Sequence, residues 1–427
     1  MILQPPRIHL FQAYGIELEY MIVDRETLMV KSIADELIKA ETGHYDVDVV
    51  KDSVTWSNEL VLHLLELKST RPEHDLEMIE AAFAKNVRRV NAILARWNAM
   101  LLPTGAHPFM NPSEETRLWP HGDSKIYETY NRIFDCRGHG WANVQSTHLN
   151  LPFYDDQEFA RLHAAVRLIL PILPALCAST PMLNGKFTGS YDTRLKYYKS
   201  NQNRIPSIAG RIIPEAVYSR RNYLQVIYDK IKSDLVPYDP EHVLNPIWVN
   251  SRGAIARFDR GSLEIRLMDC QECTLADTAI IALVAETLKA FANGKFIDLE
   301  SQMKWKTETL ANLLDVCIEA GSAATIDQED YLNVFGVTDG RITAGKLWAV
   351  IADRVMTDRF GRWRSALDLI LNEGSLGERI IRDLDGNYDR DNVLRVYRKL
   401  ARCLEENRQL SVAVSPTAIS GRVSPQV

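Results

Sequence analysis

Cysteine is scarce in this chain, with six residues in a length of 427. So few cysteines cannot form the dense disulfide framework of a small secreted domain, so we expect a cytoplasmic protein. Cys270 and Cys273 form a C-x-x-C sequence, but no second pair lies at zinc-ribbon spacing. The sequence therefore gives little support for a structural zinc site or a thioredoxin-like redox site.

Long uncharged apolar runs are also missing. No stretch reaches the ~20 apolar residues that a membrane-spanning helix needs, and the beginning of the chain lacks the pattern of a signal peptide. The longest apolar stretch, 162–180, contains Arg167 and two prolines and is interpreted as a buried helix. We therefore expect no membrane partner.

Positive charge is not in excess, because 50 Lys and Arg face 56 Asp and Glu, for a net charge of −6. A nucleic-acid-binding surface needs clustered positive charge, so no nucleic-acid partner is expected. The P-loop pattern G-x-x-x-x-G-K-[ST] is absent as well, which excludes a Walker-type nucleotide site. The composition is otherwise that of a soluble globular protein.

What the sequence has instead is acidic residues at alternate positions of apolar runs. In the run 15–23, GIELEYMIV, Glu17 and Glu19 fall on one face of a predicted strand and apolar side chains on the other. Neighbouring carboxylates repel each other and are costly to bury unpaired, so a metal ion is the simplest counter-charge. Taken alone, the run fits a solvent-facing antiparallel strand better than a metal site.

Two later runs show the same alternation. The run 144–152 places His148 and Asn150 on one face of a strand, and the run 261–269 does the same with Glu264 and Arg266. If these strands pair with the first one in a single sheet, their polar faces meet. The three patterns together predict a functional site.

A fourth run, 58–68, carries two more carboxylates, Glu59 and Glu66. Their odd spacing would direct them to opposite faces of one regular strand. Either a bulge separates them, or Glu59 lies on the loop before the strand.

Helical periodicity follows in several segments. A helix is predicted from Pro72 to near Trp97, and a second one over 157–177 with prolines breaking its last turns. A capping box at 274–277 is predicted to open a third helix that ends near Gly294. From about residue 300 the periodicity remains helical, and the last residues have little to bury.

Basic residues cluster in two places. A turn-rich segment around Lys186 leads into a basic region that contains Arg194, and a second group that includes Arg257 and Arg260 precedes the Glu264 strand. Such segments suit a phosphate or carboxylate ligand, although a solvated basic face explains any single member equally well. Carboxylates favour Mg²⁺ or Mn²⁺ over Zn²⁺, and Mg²⁺ usually acts together with substrate phosphates. Carboxylates with arginines nearby therefore predict phosphoryl transfer from a nucleotide.

These motifs resemble the glutamate–cysteine ligase family, carboxylate–amine ligases that share a catalytic fold with glutamine synthetase. The resemblance covers residues 10–295 in the expected order, and its motifs are GIELE at 15–19, Glu59 with LEL at 65–67, HLN at 148–150 and LEIR at 263–266. The segment 179–194 also looks like the substrate-side segment of that family. The segment 191–223 and the region after 300 have no clear counterpart in the best-known members.

The resemblance implies an α+β fold with a strongly curved, mainly antiparallel sheet, helices on its outer side and the active site on its concave face. We expect a catalytic glutamine-synthetase-like domain over 1–298, a helical extension over 299–409 and a flexible tail over 410–427.

The resemblance also implies the roles of site residues. One metal ion is expected to be held by Glu19, Glu59 and Glu66, and the other by Glu17, His148 and Glu264. Arg266 would contact the transferring phosphate, so Arg266 and Glu264 are the expected catalytic residues. The expected nucleotide contacts are Arg257, Arg260 and Lys186. The expected substrate contacts are Arg194, Arg132, Arg137 and Asn150.

The implied reaction consumes ATP with two or more Mg²⁺ or Mn²⁺ ions. A substrate carboxylate, expected to be that of glutamate, forms an acyl phosphate, and an amine then displaces the phosphate. The amine is open, and so is a homo-oligomeric state. Alternative interpretations are a catalytically silent nucleotide- or metal-binding protein and a guanidino phosphotransferase on the same scaffold.

Overall fold

The computed structural model describes residues 7–412. The strands are β1 Gly15–Asp24, β2 Asp48–Lys51, β3 Val54–Asn58, β4 Leu64–Ser69, β5 Ala99–Leu102, β6 Ser146–Pro152, β7 Met182–Leu183, β8 Lys186–Phe187, β9 Ala254–Arg257, β10 Ser262–Asp269, β11 Thr325–Ile326 and β12 Ile342–Thr343. The helices up to the last strand pair are α1 Ala34–Thr42, α2 Leu76–Leu94, α3 Pro112–Glu115, α4 Ser124–Phe134, α5 His139–Ala142, α6 Asp156–Ile169, α7 Pro174–Cys177, α8 Thr193–Tyr198, α9 Arg220–Tyr223, α10 Asp229–Leu235, α11 Pro246–Val249, α12 Thr274–Ala292, α13 Leu299–Met303, α14 Thr307–Ala320 and α15 Glu329–Val334. The last helices are α16 Ala344–Val355, α17 Arg364–Glu373, α18 Leu376–Leu384 and α19 Arg390–Glu406.

The centre of the fold is one sheet of eight strands with antiparallel pairing, which confirms the predicted fold class. Its strand order is β2-β3-β4-β1-β6-β10-β9, and β5 pairs with the second half of β1. The three acidic or histidine-bearing runs of the sequence are therefore neighbours, with β1 beside β6 and β6 beside β10.

The sheet is strongly curved. Adjacent strands lie about 4.8 Å apart, so a flat sheet would separate β2 from β9 by about 29 Å. Nevertheless, the charge of Arg260, which follows β9, lowers the pKa of Asp48 on β2. Burial acts in the opposite direction on Asp48, and hydrogen bonds from Ser57 and Lys68 add to the lowering. The two edges of the sheet therefore curl toward each other.

The two faces of the sheet follow the alternation of the sequence. One face presents apolar side chains such as Leu18, Leu149 and Ile265, all of which are buried in the main hydrophobic core. Helix α2 covers this face at β3, β4 and β5, α6 covers β10, and α12 packs between α2 and α6. The other face carries the polar residues that were predicted to share it.

The predicted strand 58–68 is wrong as one element. The chain forms β3 and β4 with a loop between them, and Glu59 lies on that loop. This arrangement is the second of the two alternatives left open by the spacing, and it removes the conflict between Glu59 and Glu66.

The predicted capping box at 274–277 is also wrong, although the helix is present. The N-cap of α12 is Cys273, which makes no side-chain capping bond. Asn407, at the end of α19, accepts hydrogen bonds from Leu275 N at 2.8 Å and Thr274 Oγ1 at 2.9 Å. Asp277 instead accepts from Thr147 Oγ1 on β6 at 2.7 Å. A contact from far along the chain therefore replaces the local cap.

Helices α13–α19 pack on the helical layer of the sheet. Helix α12 contacts α16 and α17, and α19 contacts α2 and β5. The buried carboxylate of Glu80 on α2 accepts from Arg362 at 2.9 and 3.0 Å and from Trp363 Nε1 at 2.9 Å. The domain boundary at residue 298 stays a prediction.

The chain is anchored at least as far as Leu410, whose side chain is buried. Its backbone N–H donates to Glu272 at 3.1 Å and its carbonyl accepts from Arg379 at 3.1 Å. The rest of the predicted tail, from 413 onward, lies outside the described residues. Within residues 7–412, no helix has the length and apolar character needed to cross a membrane.

Candidate active site

Three side chains from three adjacent strands converge on the polar face of the sheet. Glu17 on β1 lies opposite His148 on β6, and Glu264 on β10 lies opposite Asn150 on β6. Glu17, His148 and Glu264 each offer one ligand atom, and these atoms all lie within 4.8 Å of one another. The pairing of the strands thus assembles one of the two predicted ligand groups.

His148 carries the hydrogen bonds of a charged imidazole. Its Nδ1 lies 2.8 Å from Glu17 Oε2, and its Nε2 lies 3.0 Å from Ser146 Oγ. Because Ser146 Oγ donates its hydrogen to Glu19 at 2.8 Å, it accepts from Nε2. Burial alone lowers the pKa of His148, but its bond to Glu17 and the charges of Glu17 and Glu19 outweigh burial and raise the pKa.

Glu17 is the matching anion. Burial would raise its pKa, but the hydrogen bond and charge of His148, together with Arg266 and Lys68, lower the pKa of Glu17 to about 2. Asn150 Nδ2 also donates to Glu17 Oε1 at 3.0 Å. Asn150 therefore lies in the site, where it orients a carboxylate.

The second predicted ligand group consists of Glu19, Glu59 and Glu66, and its ligand atoms lie farther apart than those of the first group. Burial and the charges of Glu19 and Glu66 raise the pKa of Glu59 well above its usual range. Burial and the charges of Glu17 and Glu19 raise the pKa of Glu66 to about 8, against the opposing effect of Lys68. In the described part of the chain, Glu19, Glu59 and Glu66 do not meet the 4.8 Å limit that the first group meets. The carboxylates are close enough to repel one another.

Two of the predicted arginines reach the first group. Arg266 Nε lies 2.9 Å from Glu264 Oε1, and Arg257 lies 3.3 Å from Glu264 Oε2. Arg260 is exposed beside Asp259, at 3.8 Å, on the turn between β9 and β10. Lys186 is exposed on the small β7–β8 hairpin, outside the main sheet.

The remaining residues that were predicted to contact the substrate are Arg194, Arg132 and Arg137. Each of them is paired with another group of the protein. Arg194 is 2% exposed and forms an ion pair with Asp269, and it also donates to the Leu267 carbonyl at 2.8 Å. Arg132 is exposed and donates to the Tyr238 carbonyl at 2.9 Å. These partners occupy guanidinium hydrogens that the predicted substrate role would need.

Arg137, the third of these arginines, is also paired with a protein group. It is exposed, and its Nε lies 2.7 Å from the neighbouring Asp135. Arg132 and Arg137 are thus exposed and paired with other protein groups, and Arg194 forms a buried ion pair. The substrate roles of all three residues stay predictions.

Sequence reasoning missed several residues of the polar face. Lys68 on β4 pairs with Glu66 at 3.3 Å, and the two-residue period would have placed it beside Glu66. Tyr127 on α4 accepts a hydrogen bond from Asn58 Nδ2 at 2.9 Å. The charge of Arg266 also acts on Tyr130 one turn further along α4. No local pattern predicts that α4 lies over this face, because its position depends on long-range packing.

Solved structures share this fold. The crystal structure of a glutamate–cysteine ligase from Francisella tularensis in complex with AMP matches with a TM-score of 0.59 and 12% identity, over 92% of this chain and 88% of that chain. A bifunctional glutathione synthetase from Pasteurella multocida matches with a TM-score of 0.56 and 14% identity, over 93% of this chain and 52% of that chain. The fold is therefore that of the glutamate–cysteine ligase class.

Sequence comparison identifies the family. The family described as "Glutamate-cysteine ligase family 2(GCS2)" matches residues 13–399. The chain belongs to this family, and it is an ATP-dependent carbon–nitrogen ligase of the carboxylate–amine type. The resemblance inferred from the four motifs is thus confirmed.

Two relatives illustrate the range of similarity. An uncharacterized protein of Archaeoglobus fulgidus is 32% identical over 403 residues, which span 92% of this chain and 98% of that protein. A protein of Bradyrhizobium sp. (strain ORS 278), named "Putative glutamate--cysteine ligase 2", is 26% identical over 294 residues, which span 67% of this chain and 63% of that protein.

Proposed function

We propose that this protein joins the carboxylate of glutamate to an amine through an acyl phosphate made from ATP. The observation that carries the proposal is the group Glu17, His148 and Glu264, within 4.8 Å of one another, with Arg266 2.9 Å from Glu264. Anionic ligands beside a guanidinium are what an in-line phosphoryl transfer requires on the enzyme side.

The donor set fits Mg²⁺ or Mn²⁺. Two carboxylates and one imidazole are oxygen-rich ligands, whereas Zn²⁺ favours sets dominated by histidine and cysteine. A cation held by Glu17 and Glu264 would replace the charge that His148 Nδ1–H now supplies to Glu17. When bound, such an ion would neutralise phosphate oxygens and stabilise the charge that develops during transfer.

We extend the proposal to a second ion at Glu19, Glu59 and Glu66. The raised pKa values of Glu59 and Glu66 support it, because mutual repulsion of these carboxylates favours a shared cation. Arg260 and Lys186 are retained as proposed nucleotide contacts, both being exposed and free to rearrange.

The side chains of the site have different roles in the proposed reaction. Arg266 holds the transferring phosphoryl group, and Arg257 supports the position of Glu264 through its 3.3 Å contact. Helix α4, whose Tyr127 is bonded to Asn58 and whose Tyr130 interacts with Arg266, would limit access of water to the acyl phosphate in the proposed reaction.

The test is phosphate release from Mg-ATP with a panel of carboxylic and amino compounds, each alone and in pairs. Release that requires glutamate plus one amine is expected and would identify that amine. Hydroxylamine separates the alternatives, because only an acyl phosphate yields a hydroxamate. Phosphate transfer without hydroxamate would favour a phosphotransferase. Binding of Mg-ATP without any release would favour a silent binding protein.

A further inference from the structure

A lysine lies among the carboxylates of the polar face. Lys68 on β4 comes two residues after Glu66, so both side chains are directed to the same side of the sheet. The residue opposite Lys68 on β1 is Glu17, and the residue opposite Glu17 on β6 is His148. Lys68 therefore continues the row of side chains that includes two members of the first ligand group.

The ammonium group of Lys68 is shared by two carboxylates. Its Nζ lies 3.0 Å from Asp48 Oδ1 and 3.3 Å from Glu66 Oε2. Asp48 on β2 is opposite Ser57 on β3, and Ser57 is opposite Glu66 on β4. With about 4.8 Å between neighbouring strands, the backbones at Asp48 and Glu66 are about 10 Å apart. The Lys68 side chain thus connects the edge of the sheet with the second ligand group.

The positive charge of Lys68 acts on both ligand groups. Burial and the charge of Glu17 raise the pKa of Glu66 to about 8, and the charge of Lys68 opposes this rise. At Glu17, burial raises the pKa, but the hydrogen bond and charge of His148, with Lys68 among the other cations, lower it to about 2. Lys68 therefore gives Glu66 the kind of counter-charge that His148 gives Glu17.

Lys68 and a metal ion would compete for Glu66. An ammonium group has three N–H donors and no acceptor atom, so Lys68 cannot itself be a metal ligand. Its Nζ lies 3.3 Å from Glu66 Oε2. Mg²⁺ binds about 2.1 Å from a ligand oxygen, so an ion on this oxygen would lie within about 6 Å of a like charge. As long as Lys68 stays beside Glu66, it lowers the affinity of the second ligand group for a cation.

Asp48 offers Lys68 a position away from the ion. Its side chain is 53% exposed and belongs to neither ligand group. An ion pair with this degree of exposure contributes little to folding stability, so stability alone does not explain why a lysine lies at this point of the polar face. Lys68 can release Glu66 and retain Asp48, which makes the competition reversible.

We propose that Lys68 is a positioning residue that holds Glu66 in the nucleotide-free protein, so that the second metal ion binds tightly only together with the phosphates of the nucleotide. This inference rests on the proposed function, because it concerns the second ion of the proposed site. The phosphates add negative charge and oxygen ligands, which offset the repulsion between the ion and Lys68. An order of binding follows: the first ligand group takes an ion before the second group, which takes its ion with the nucleotide.

The experiment counts bound Mn²⁺ by equilibrium dialysis of the full chain, without nucleotide and with a saturating β,γ-imido analogue of ATP. K68M and K68Q remove the charge of Lys68, and K68R keeps it. K85M is the matched control, since it removes the charge of an exposed lysine on α2, 3.4 Å from Asp52. The double variant K68M/E66Q tests where an additional ion binds.

Without nucleotide, we expect wild-type protein, K68R and K85M to bind about one Mn²⁺ per chain at concentrations that saturate the first ligand group. K68M and K68Q should bind a second ion with an affinity about tenfold or more above that of the wild type, because a repelling charge has been removed. K68M/E66Q should lose this second ion. With the ATP analogue, wild-type protein should bind the second ion as well. A purely structural role of Lys68 would give the opposite change, since disordered ligands bind an ion more weakly.

The inference is overturned if K68M and K68Q bind Mn²⁺ with the stoichiometry and affinity of the wild type, or if the wild type binds both ions equally tightly without nucleotide. It is also overturned if the additional ion persists in K68M/E66Q. Failure of the proposed function gives a different result, because wild-type protein would then release no phosphate from Mg-ATP with any pair of substrates, whatever the Mn²⁺ counts are. Thermal melting identifies a variant that has lost its fold, and K68Q tests the inference if K68M unfolds.

Discussion

Glu17 on β1 and His148 on β6 lie directly opposite each other in the sheet, and His148 Nδ1 lies 2.8 Å from Glu17 Oε2. The pair shows how the antiparallel register assembles the site. A shift of either strand by one residue would turn the polar side chain of that strand to the apolar face and break the pair. The metal-binding proposal thus depends on strand register as much as on residue identity.

Removing one negative charge from the proposed ligand groups should abolish activity without unfolding the protein. E19Q and E264Q keep the size of the side chain and an acceptor oxygen. In the wild type, Ser146 N donates to Glu19 at 2.7 Å, and the glutamine of E19Q can still accept this hydrogen bond. We expect phosphate release to fall on the order of 100-fold or more, while each variant still unfolds in one cooperative transition. E286Q, at a surface position beside Lys289, is the control. Wild-type turnover in E19Q or E264Q would contradict the two-metal site.

Divalent cations should stabilise the protein in the absence of nucleotide. A ligand at about 100 times its Kd stabilises the folded state by about 2.7 kcal/mol. We therefore expect Mn²⁺ to raise the urea midpoint of wild-type protein and to have much less effect on E17Q. E241Q, which alters an exposed residue paired with Lys125, should respond like the wild type. An equal response in E17Q would place the cation elsewhere.

Arg194 should behave as a structural residue. Its ion pair with Asp269 is buried, and Asp269 also accepts from Ser179 N at 2.7 Å. R194M leaves the buried carboxylate without its counter-charge, so we expect a loss of about 3–5 kcal/mol in the free energy of unfolding. R132M, at an exposed position, should change it by less than about 0.5 kcal/mol. Urea unfolding measures both. A stable R194M with a raised KM for the acid would restore the substrate role.

The last helices should unfold together with the sheet. Glu272 and Arg379 are both fully buried, and their side chains approach to 2.6 Å. R379M should cost about 3–5 kcal/mol, whereas R382M, in an exposed pair with Glu373, should cost less than about 1 kcal/mol. Circular dichroism and tryptophan fluorescence should report one common urea transition. Two separate transitions would show that the region after 298 folds on its own.

Acid should destabilise the protein through buried histidines. His107 Nε2 lies 2.6 Å from the Leu28 carbonyl, and its Nδ1 accepts from Phe109 N at 3.1 Å, so the ring is held neutral. Burial lowers the pKa of His107 to about 4. The unfolded chain therefore binds the extra proton first, and stability should fall as the pH drops from about 6.5 to about 4.

The urea midpoint against pH measures this effect. H107Q keeps a donor for Leu28 but no longer titrates, so its midpoint should depend less steeply on pH in this interval. H44Q, at an exposed histidine, should keep the wild-type slope. A wild-type slope in H107Q would show that His107 does not contribute.

Much of the site could be predicted because it depends on local geometry. Side chains of a strand alternate between its faces whatever surrounds them, so Glu17 with Glu19 and Glu264 with Arg266 had to share a face. The same alternation separates Leu18 and Ile265 into the apolar core. The order of the motifs along the chain then identified the family.

Other features could not be predicted, because they join residues far apart in sequence. Asn407 caps α12 from the end of α19, so the local capping signal at 274–277 was not used. An arginine such as Arg194 can bind an anionic ligand, but in the folded protein its guanidinium forms an ion pair with Asp269 on β10.

The sequence by itself determined which residue types the site contains, which of them share a strand face, and the family to which the chain belongs. Only the tertiary structure decided which charges meet: His148 with Glu17, and Arg194 with Asp269. The reason is physical. Strand periodicity acts between neighbours in the chain, whereas the pairing of buried charges depends on how separate elements pack.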